Sequence, residues 1–126
     1  GGTPTALSAE QITRLLDLVA KHVPLSNVKE FTSEANPDEL TREKLQALFD
    51  GGVNRLSMGV QSFDQDLLKK IGRTHSNEHV YQTIELAREI GFTNISIDLM
   101  YGLPGQTMEQ WQHTLSKALE LNLPHY

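Results

Sequence analysis

Hydrophobic positions follow two spacings along the chain, one typical of helices and one typical of strands. In "SAEQITRLLDLVAKHV" (8–23) apolar residues recur every three or four positions and Ser8 forms a capping box with Gln11, so this segment predicts a helix. Further helices are predicted over 41–52, 64–72, 77–91 and 107–122. Asn77 is the predicted N-cap of the fourth helix, and Gly91 is its C-terminal glycine.

The last predicted helix repeats the capping box, with Thr107 at its start and Gln110 three residues on. Its predicted buried stripe consists of Trp111, Leu115, Ala118 and Leu119. In the second helix, Leu45, Leu48 and Phe49 share the predicted apolar face.

Strands are predicted between the helices, over 27–37, 53–63 and 93–102, and "LPHY" (123–126) is the predicted beginning of one more. Strands that alternate with helices favour a parallel α/β sheet, either doubly wound or part of a β/α barrel. A complete (β/α) TIM-type barrel needs about 250 residues, so 126 residues make at most roughly half a barrel. No strand precedes the first helix and the last strand is very short, so we expect an excerpt from a larger protein.

Each predicted strand has one apolar and one polar face, because successive side chains point to opposite sides. The polar faces end in Glu34, Gln61 and Asp98, each near the carboxyl end of its strand. Parallel β/α folds place their chemistry at that end. For any one strand, simple exposure to solvent explains the polar face as well as a binding site does. Three successive strands with polar residues at the same end favour a lined cavity.

Composition and charge argue against several classes of protein. The net charge of −5 without a basic run gives no electrostatic basis for binding nucleic acid or an anionic membrane. The apolar runs are too short for a membrane span or a signal peptide. Cysteine is absent, which excludes disulfides and thiolate metal sites within these residues and is consistent with a cytoplasmic location.

Short motifs add weaker signals. "GGTP" (1–4) is either a plain turn or a backbone that approaches a ligand closely. "YGLPGQT" (101–107) is a tight connector, and Arg73 in "GRTH" is either a surface charge or a bidentate partner for a carboxylate. His75 and His79 have the spacing of a helical metal pair, but a helix start falls between them, so no metal is assigned to the histidines. Trp111 is assigned to the core rather than to a stacking platform.

Taken in order, "GGTPT … EANP … NRLSMGVQSF … IGRTH … NISIDLMYGLPGQT … W" resembles the radical S-adenosylmethionine (SAM) proteins related to oxygen-independent coproporphyrinogen III oxidase. The resemblance covers the whole chain. It implies a radical SAM barrel, with residues 1–126 as one fragment of its core domain and both a cluster-binding strand and loop and a C-terminal substrate domain outside them. It also implies a tetrapyrrole partner, coproporphyrinogen III or haem, and an electron donor.

The resemblance assigns SAM-contacting roles to seven residues. Those positions are Gly1, Gly2, Thr3, Glu34, Gln61, Arg73 and Asp98. Carboxylates and backbone carbonyls accept from an ammonium group, a guanidinium clamps a carboxylate, and a carboxylate accepts from ribose hydroxyls. The catalytic residues are not identified by the resemblance.

The family's Cys-x3-Cys-x2-Cys run holds a [4Fe–4S] cluster, and its ligands must be thiolates. No cysteine occurs in these 126 residues, so we expect the cluster in the full-length protein only and no activity in the fragment alone. The main functional hypothesis is oxidative decarboxylation of coproporphyrinogen III through a 5′-deoxyadenosyl radical. The alternative is a haem chaperone that delivers haem to acceptor proteins, and "EANP", "GRTH" and "GLPGQT" resemble that subgroup more.

Overall fold

A computed structural model describes residues 2–126, and the site role predicted for Gly1 lies outside that range. Within these residues five helices and three strands alternate, except that two helices follow the second strand. The helices are α1 (Ala9–His22), α2 (Arg42–Asp50), α3 (Gln65–Lys70), α4 (Asn77–Ile90) and α5 (Met108–Glu120), and the strands are β1 (Thr32–Ala35), β2 (Arg55–Gln61) and β3 (Asn94–Leu99). Short 3-10 turns occupy Pro4–Ala6, Leu25–Asn27 and Pro37–Glu39. The predicted alternation of strands and helices is therefore confirmed.

The three strands form one parallel sheet in the order β1-β2-β3. The register pairs Glu34 with Ser57 across β1 and β2, and Gly59 with Asp98 across β2 and β3. A further parallel bridge joins Ser96 to His125, so "LPHY" continues the sheet where a fourth strand was predicted. Within residues 2–126 the sheet is open rather than closed.

Helices cover one face of the sheet. The apolar side chains of β2 and β3 are buried on that face, with Leu56, Met58 and Ile97 each 0% exposed. α1 packs against α2, and α2 packs against α4. The opposite face carries the polar side chains, so the predicted division of each strand into an apolar and a polar face is confirmed for these strands.

Both predicted capping boxes are present. In α1 the Ser8 hydroxyl accepts from the Gln11 N–H and the Gln11 side chain accepts from the Ser8 N–H. Thr107 and Gln110 make the same reciprocal pair in α5. Gly91 ends α4 with a φ of 127°, a conformation that glycine adopts without strain.

Several local predictions were wrong. The N-cap of α4 is Ser76, whose hydroxyl accepts from the His79 N–H, and Asn77 is the first helical residue. The first strand begins at Thr32 rather than Asn27, because Leu25–Asn27 form a 3-10 turn.

Apolar residues predicted to be buried are partly exposed. In α5, Leu115 and Leu119 are 37% and 64% exposed, and the buried positions are Thr114 and Ala118. Trp111 is half-buried beside the ring of Tyr101, so it is not a core residue. Phe49 of α2 is 39% exposed and packs edge-on against Phe92.

Candidate functional site

The carboxyl ends of the three strands surround a polar concavity of about 170 Å³. It is lined by Thr3, Glu34, Ala35, Asn36, Ser57, Gly59, Gln61, Arg73 and Asp98. Five of the seven residues singled out from the sequence are in this lining, namely Thr3, Glu34, Gln61, Arg73 and Asp98. Gly2 is exposed and has a φ of 119°, and among residues 4–126 no atom lies within 4 Å of the position that a Cβ would take there.

Strand geometry explains why the carboxylates converge. Glu34 and Asp98 both project from the polar face near the strand ends, and β2 lies between them. The central strand presents only small side chains between the two, Ser57 and Gly59. Ser57 Oγ donates to Asp98 Oδ2 at 3.4 Å, so the floor of the concavity is polar and open to a ligand.

Arg73 reaches the concavity from the loop between α3 and α4. Its Nη1 donates to Asn36 Oδ1 at 2.7 Å, which attaches the loop to the turn that follows β1. A Cβ built on Gly59 would lie 3.3 Å from Arg73 Nη2 and 3.1 Å from Gln61 Nε2. The absence of a side chain at Gly59 therefore leaves room for the guanidinium and the amide.

Asn36 is a residue that the sequence analysis did not assign. Its side-chain amide donates to Glu39 Oε2 at 3.4 Å, and its backbone N–H donates to Thr5 Oγ1 at 3.4 Å. Thr5 is fully buried and donates its own hydroxyl to Glu39 Oε2 at 3.2 Å. Lys44 Nζ in turn donates to the Thr5 carbonyl at 2.7 Å, so these bonds tie the turn after "GGTP" to Asn36 and Arg73.

Gln61 ends β2 in an unusual conformation. Its φ of 69° is left-handed, which a non-glycine residue rarely adopts. The pairing of β2 with β3 shifts register between Gly59 and Gln61, so this is a β-bulge. Bulges re-aim side chains and are frequent next to binding sites, and the Gln61 side chain lines the concavity.

A second concavity, of about 450 Å³, adjoins the first and shares Gln61 and Arg73 with it. Its remaining lining comes from Ile71 and from the segment after β3, residues 100–104. Met100 and Tyr101 are 47% and 79% exposed there. "YGLPGQT" was predicted only as a connector, and this apolar wall was not predicted, although a Met and a Tyr directly after a strand were a usable signal.

Within residues 2–126 no group of three or more histidine, aspartate or glutamate side chains could hold a metal ion. Since the chain contains no cysteine, its residues do not fit a [4Fe–4S] cluster, which needs thiolate ligands. In the part of the chain that the structure describes, no helix is long and apolar enough to cross a membrane.

Comparison with known proteins agrees with the resemblance read from the sequence. The family model described as the Radical SAM superfamily matches residues 1–118. The haem chaperone HemW of Bacillus subtilis is 54% identical over 127 residues, covering 100% of this chain and 34% of that protein. The oxygen-independent coproporphyrinogen III oxidase of Escherichia coli is 42% identical over 122 residues, covering 97% and 27%. The chain thus spans about a third of the length of these relatives.

Solved structures confirm the fold. The coproporphyrinogen III oxidase HemN from Escherichia coli, a radical SAM enzyme, superposes with a TM-score of 0.85 at 41% identity, covering 98% of this chain and 28% of that one. The archaeal Elp3 of Methanocaldococcus infernus gives a TM-score of 0.74 at 26% identity, covering 93% and 31%. The open three-stranded sheet is therefore part of a radical SAM barrel, as predicted.

Proposed function

The chain belongs to the radical SAM superfamily, and on that premise we propose that the concavity at its strand ends binds SAM. The observation that supports this most is the convergence of Thr3, Glu34, Gln61, Arg73 and Asp98 on one lining. Gly1 and Gly2, which precede Thr3 in the sequence, complete the proposed set on the strength of the family resemblance. The family's cofactors are SAM and a [4Fe–4S] cluster, and cluster ligands would have to come from residues other than these 126.

Formal charge supports the proposal. SAM carries two positive groups, the sulfonium and the ammonium, and one negative carboxylate. The concavity offers the complement, two carboxylates on Glu34 and Asp98 and one guanidinium on Arg73. Opposite charges in a partly enclosed site strengthen binding and fix the orientation of the ligand.

The size of the two concavities also supports SAM binding. Pockets for molecules of this kind measure about 300–1,000 Å³, so the polar concavity of about 170 Å³ takes one end of SAM. The adjoining concavity of about 450 Å³ provides space for the remainder, and Gln61 and Arg73 lie where the two meet. Bound beside a reduced cluster, SAM supplies radical chemistry to the family; the residues of this chain bind and orient it.

For the whole protein we propose the role of a cytoplasmic haem chaperone of the HemW type. The oxidase was the main hypothesis from the sequence, but two chaperone relatives, of Bacillus subtilis and Lactococcus lactis, are 54% and 53% identical, against 42% for the oxidase of Escherichia coli. Oxidative decarboxylation of coproporphyrinogen III is the second candidate, favoured by the TM-score of 0.85 with that enzyme. Both candidates have a tetrapyrrole as partner, and cluster reduction requires an electron donor.

One experiment separates the two candidates. The natural full-length protein that carries this sequence is purified anaerobically with its cluster reconstituted, then given haem and an apo-acceptor in one assay and coproporphyrinogen III, SAM and a reductant in another. Stoichiometric haem binding with transfer, and no decarboxylated product, is expected. Decarboxylation without haem transfer would replace the chaperone proposal with the oxidase. A calorimetric titration with SAM tests the site itself, and no binding would refute it.

A further inference from the structure

One buried histidine supports the bulge that presents Gln61. His75 is 2% exposed, and its Nε2 lies 3.0 Å from the Val60 carbonyl oxygen. A carbonyl only accepts, so Nε2 carries the proton and donates. Val60 is the extra residue of the bulge, and the same carbonyl also accepts from the Ser62 N–H at 2.8 Å. His75 therefore bonds the peptide group on which the conformation of Gln61 depends.

The turn around Gln61 is held from two further sides. The Ser62 N–H closes a three-residue turn centred on Gln61, and the Gln61 carbonyl accepts from the Met100 N–H at 2.8 Å. A left-handed non-glycine residue persists only where its surroundings over-determine it. The His75 bond is the side-chain contribution to that restraint, since the other two bonds come from backbone groups.

The residues just before His75 attach the same segment to the other side of the site. Arg73 donates to Asn36 at 2.7 Å, and Thr74 Oγ1 donates to Asp38 Oδ2 at 2.7 Å. Three consecutive side chains thus join the turn after β1 to the end of β2. Two residues of the proposed SAM site, Arg73 and Gln61, depend on this one segment for their placement.

The packing of His75 does not require its second ring nitrogen. Its Nδ1 is buried and has no hydrogen-bond partner among the described residues. Burial lowers the pKa of His75, against the opposing effect of its bond to Val60, and so favours the neutral ring. An apolar side chain of similar size would avoid the orphaned nitrogen, which indicates that the bond from Nε2 is the reason for a histidine here.

We infer that His75 is a positioning residue of the candidate site: its bond to the Val60 carbonyl holds the bulge that turns Gln61 toward the ligand. The inference rests on the proposed function for the identity of the ligand. The effect of His75 on the bulge does not depend on the proposed function. Loss of the bond leaves a buried carbonyl with one partner fewer, and the segment Val60–Ser62 then relaxes from its strained turn.

The test compares His75→Leu with His75→Gln in the natural full-length protein. Glutamine places an amide N–H near the position of Nε2, whereas leucine offers no donor. For His75→Leu we expect about tenfold weaker SAM binding by calorimetry and faster hydrogen exchange at the Ser62 and Met100 amides. His75→Gln is expected to restore both to within about threefold of wild type.

Two control variants separate positioning from general stability. Asn54→Ala removes hydrogen bonds to Phe31 and Lys29 at the opposite end of the sheet, so it is expected to lower the melting temperature without changing SAM affinity. His79→Leu changes a half-buried histidine four residues along and is expected to leave the Ser62 and Met100 amides unchanged.

Each outcome decides the inference. Wild-type exchange at Ser62 and Met100 in His75→Leu, or equal damage by leucine and glutamine, would overturn it. If the wild-type protein fails to bind SAM, the proposed function falls, while faster exchange in His75→Leu that glutamine repairs still supports the positioning role.

Discussion

The guanidinium of Arg73 lies against Gly59, 3.3 Å from the point that a Cβ would occupy on that residue. Gly59 has no left-handed φ, so a side chain there is excluded by space rather than by backbone strain. The central strand of the sheet therefore contributes to the candidate site by leaving room for a residue from a distant loop.

Gly59→Ala tests this relationship. Its methyl group would displace the Arg73 and Gln61 side chains by a few tenths of an ångström, and we expect SAM affinity to fall about tenfold while the melting temperature changes little. Leu56→Val, on the buried face of the same strand, is the matched control: it should lower stability by about 1 kcal/mol and leave affinity unchanged. Wild-type affinity in Gly59→Ala would show that the two side chains are free to move aside.

The two carboxylates are expected to bind positive groups of the ligand. Glu34→Gln and Asp98→Asn keep the size of each side chain but remove its charge, and each should weaken SAM binding about 10- to 100-fold in a calorimetric titration. Lys69→Ala, an exposed change in α3, should leave the dissociation constant unchanged. Unaltered affinity in both carboxylate variants would remove these residues from the site.

Gly51 is expected to be essential for the packing of α1 on α2. A Cβ at Gly51 would lie 2.2 Å from Leu16 Cδ1 and 2.8 Å from Leu16 Cβ. Gly51→Ala should therefore cost about 1–3 kcal/mol of unfolding free energy in urea titrations. Combined with Leu16→Ala, it should cost less than the sum of the two single changes, because the shortened side chain removes part of the clash. Strict additivity would contradict the predicted contact.

Stability should fall in mild acid because of His75. Burial lowers the pKa of His75 below its ordinary value of 6.5, so the unfolded chain takes up a proton at a higher pH than the folded one. This destabilisation is small well above pH 6.5 and grows as the pH falls toward the folded-state pKa, by at most about 1.4 kcal/mol per pH unit. Urea unfolding at pH 7.5 and 5.5 should therefore show a smaller loss in His75→Gln than in wild type. The exposed His113→Gln should behave as wild type.

Features that depend on residues close together in the sequence were predictable. Both capping boxes need only a hydroxyl and a glutamine three residues apart, and both are present. The convergence of Glu34 and Asp98 followed from strand periodicity and from the common direction of parallel strands. Strand periodicity singled out Glu34, Gln61 and Asp98, the family resemblance added Thr3 and Arg73, and these five line the same concavity.

Features that depend on distant contacts were not predictable. No local signal marks Gln61 for a left-handed φ, because the Val60 carbonyl is restrained by His75 from 15 residues away. The buried face of α5 was predicted wrongly, because helical spacing identifies an apolar face but not which of its residues other elements cover. Within residues 2–126, Thr114 and Ala118 of α5 are buried, and Leu119 stays exposed.

The order β1-β2-β3 has a consequence for how the chain is made. Each strand pairs with the one synthesised just before it, and the Ser96–His125 bridge adds the next segment on the far side of β3. A nascent chain leaving the ribosome can thus extend the sheet one unit at a time, because β2 and β3 each find the preceding strand already made. The Glu34 wall of the site is therefore translated before the Asp98 wall, and the two can join the sheet in that order.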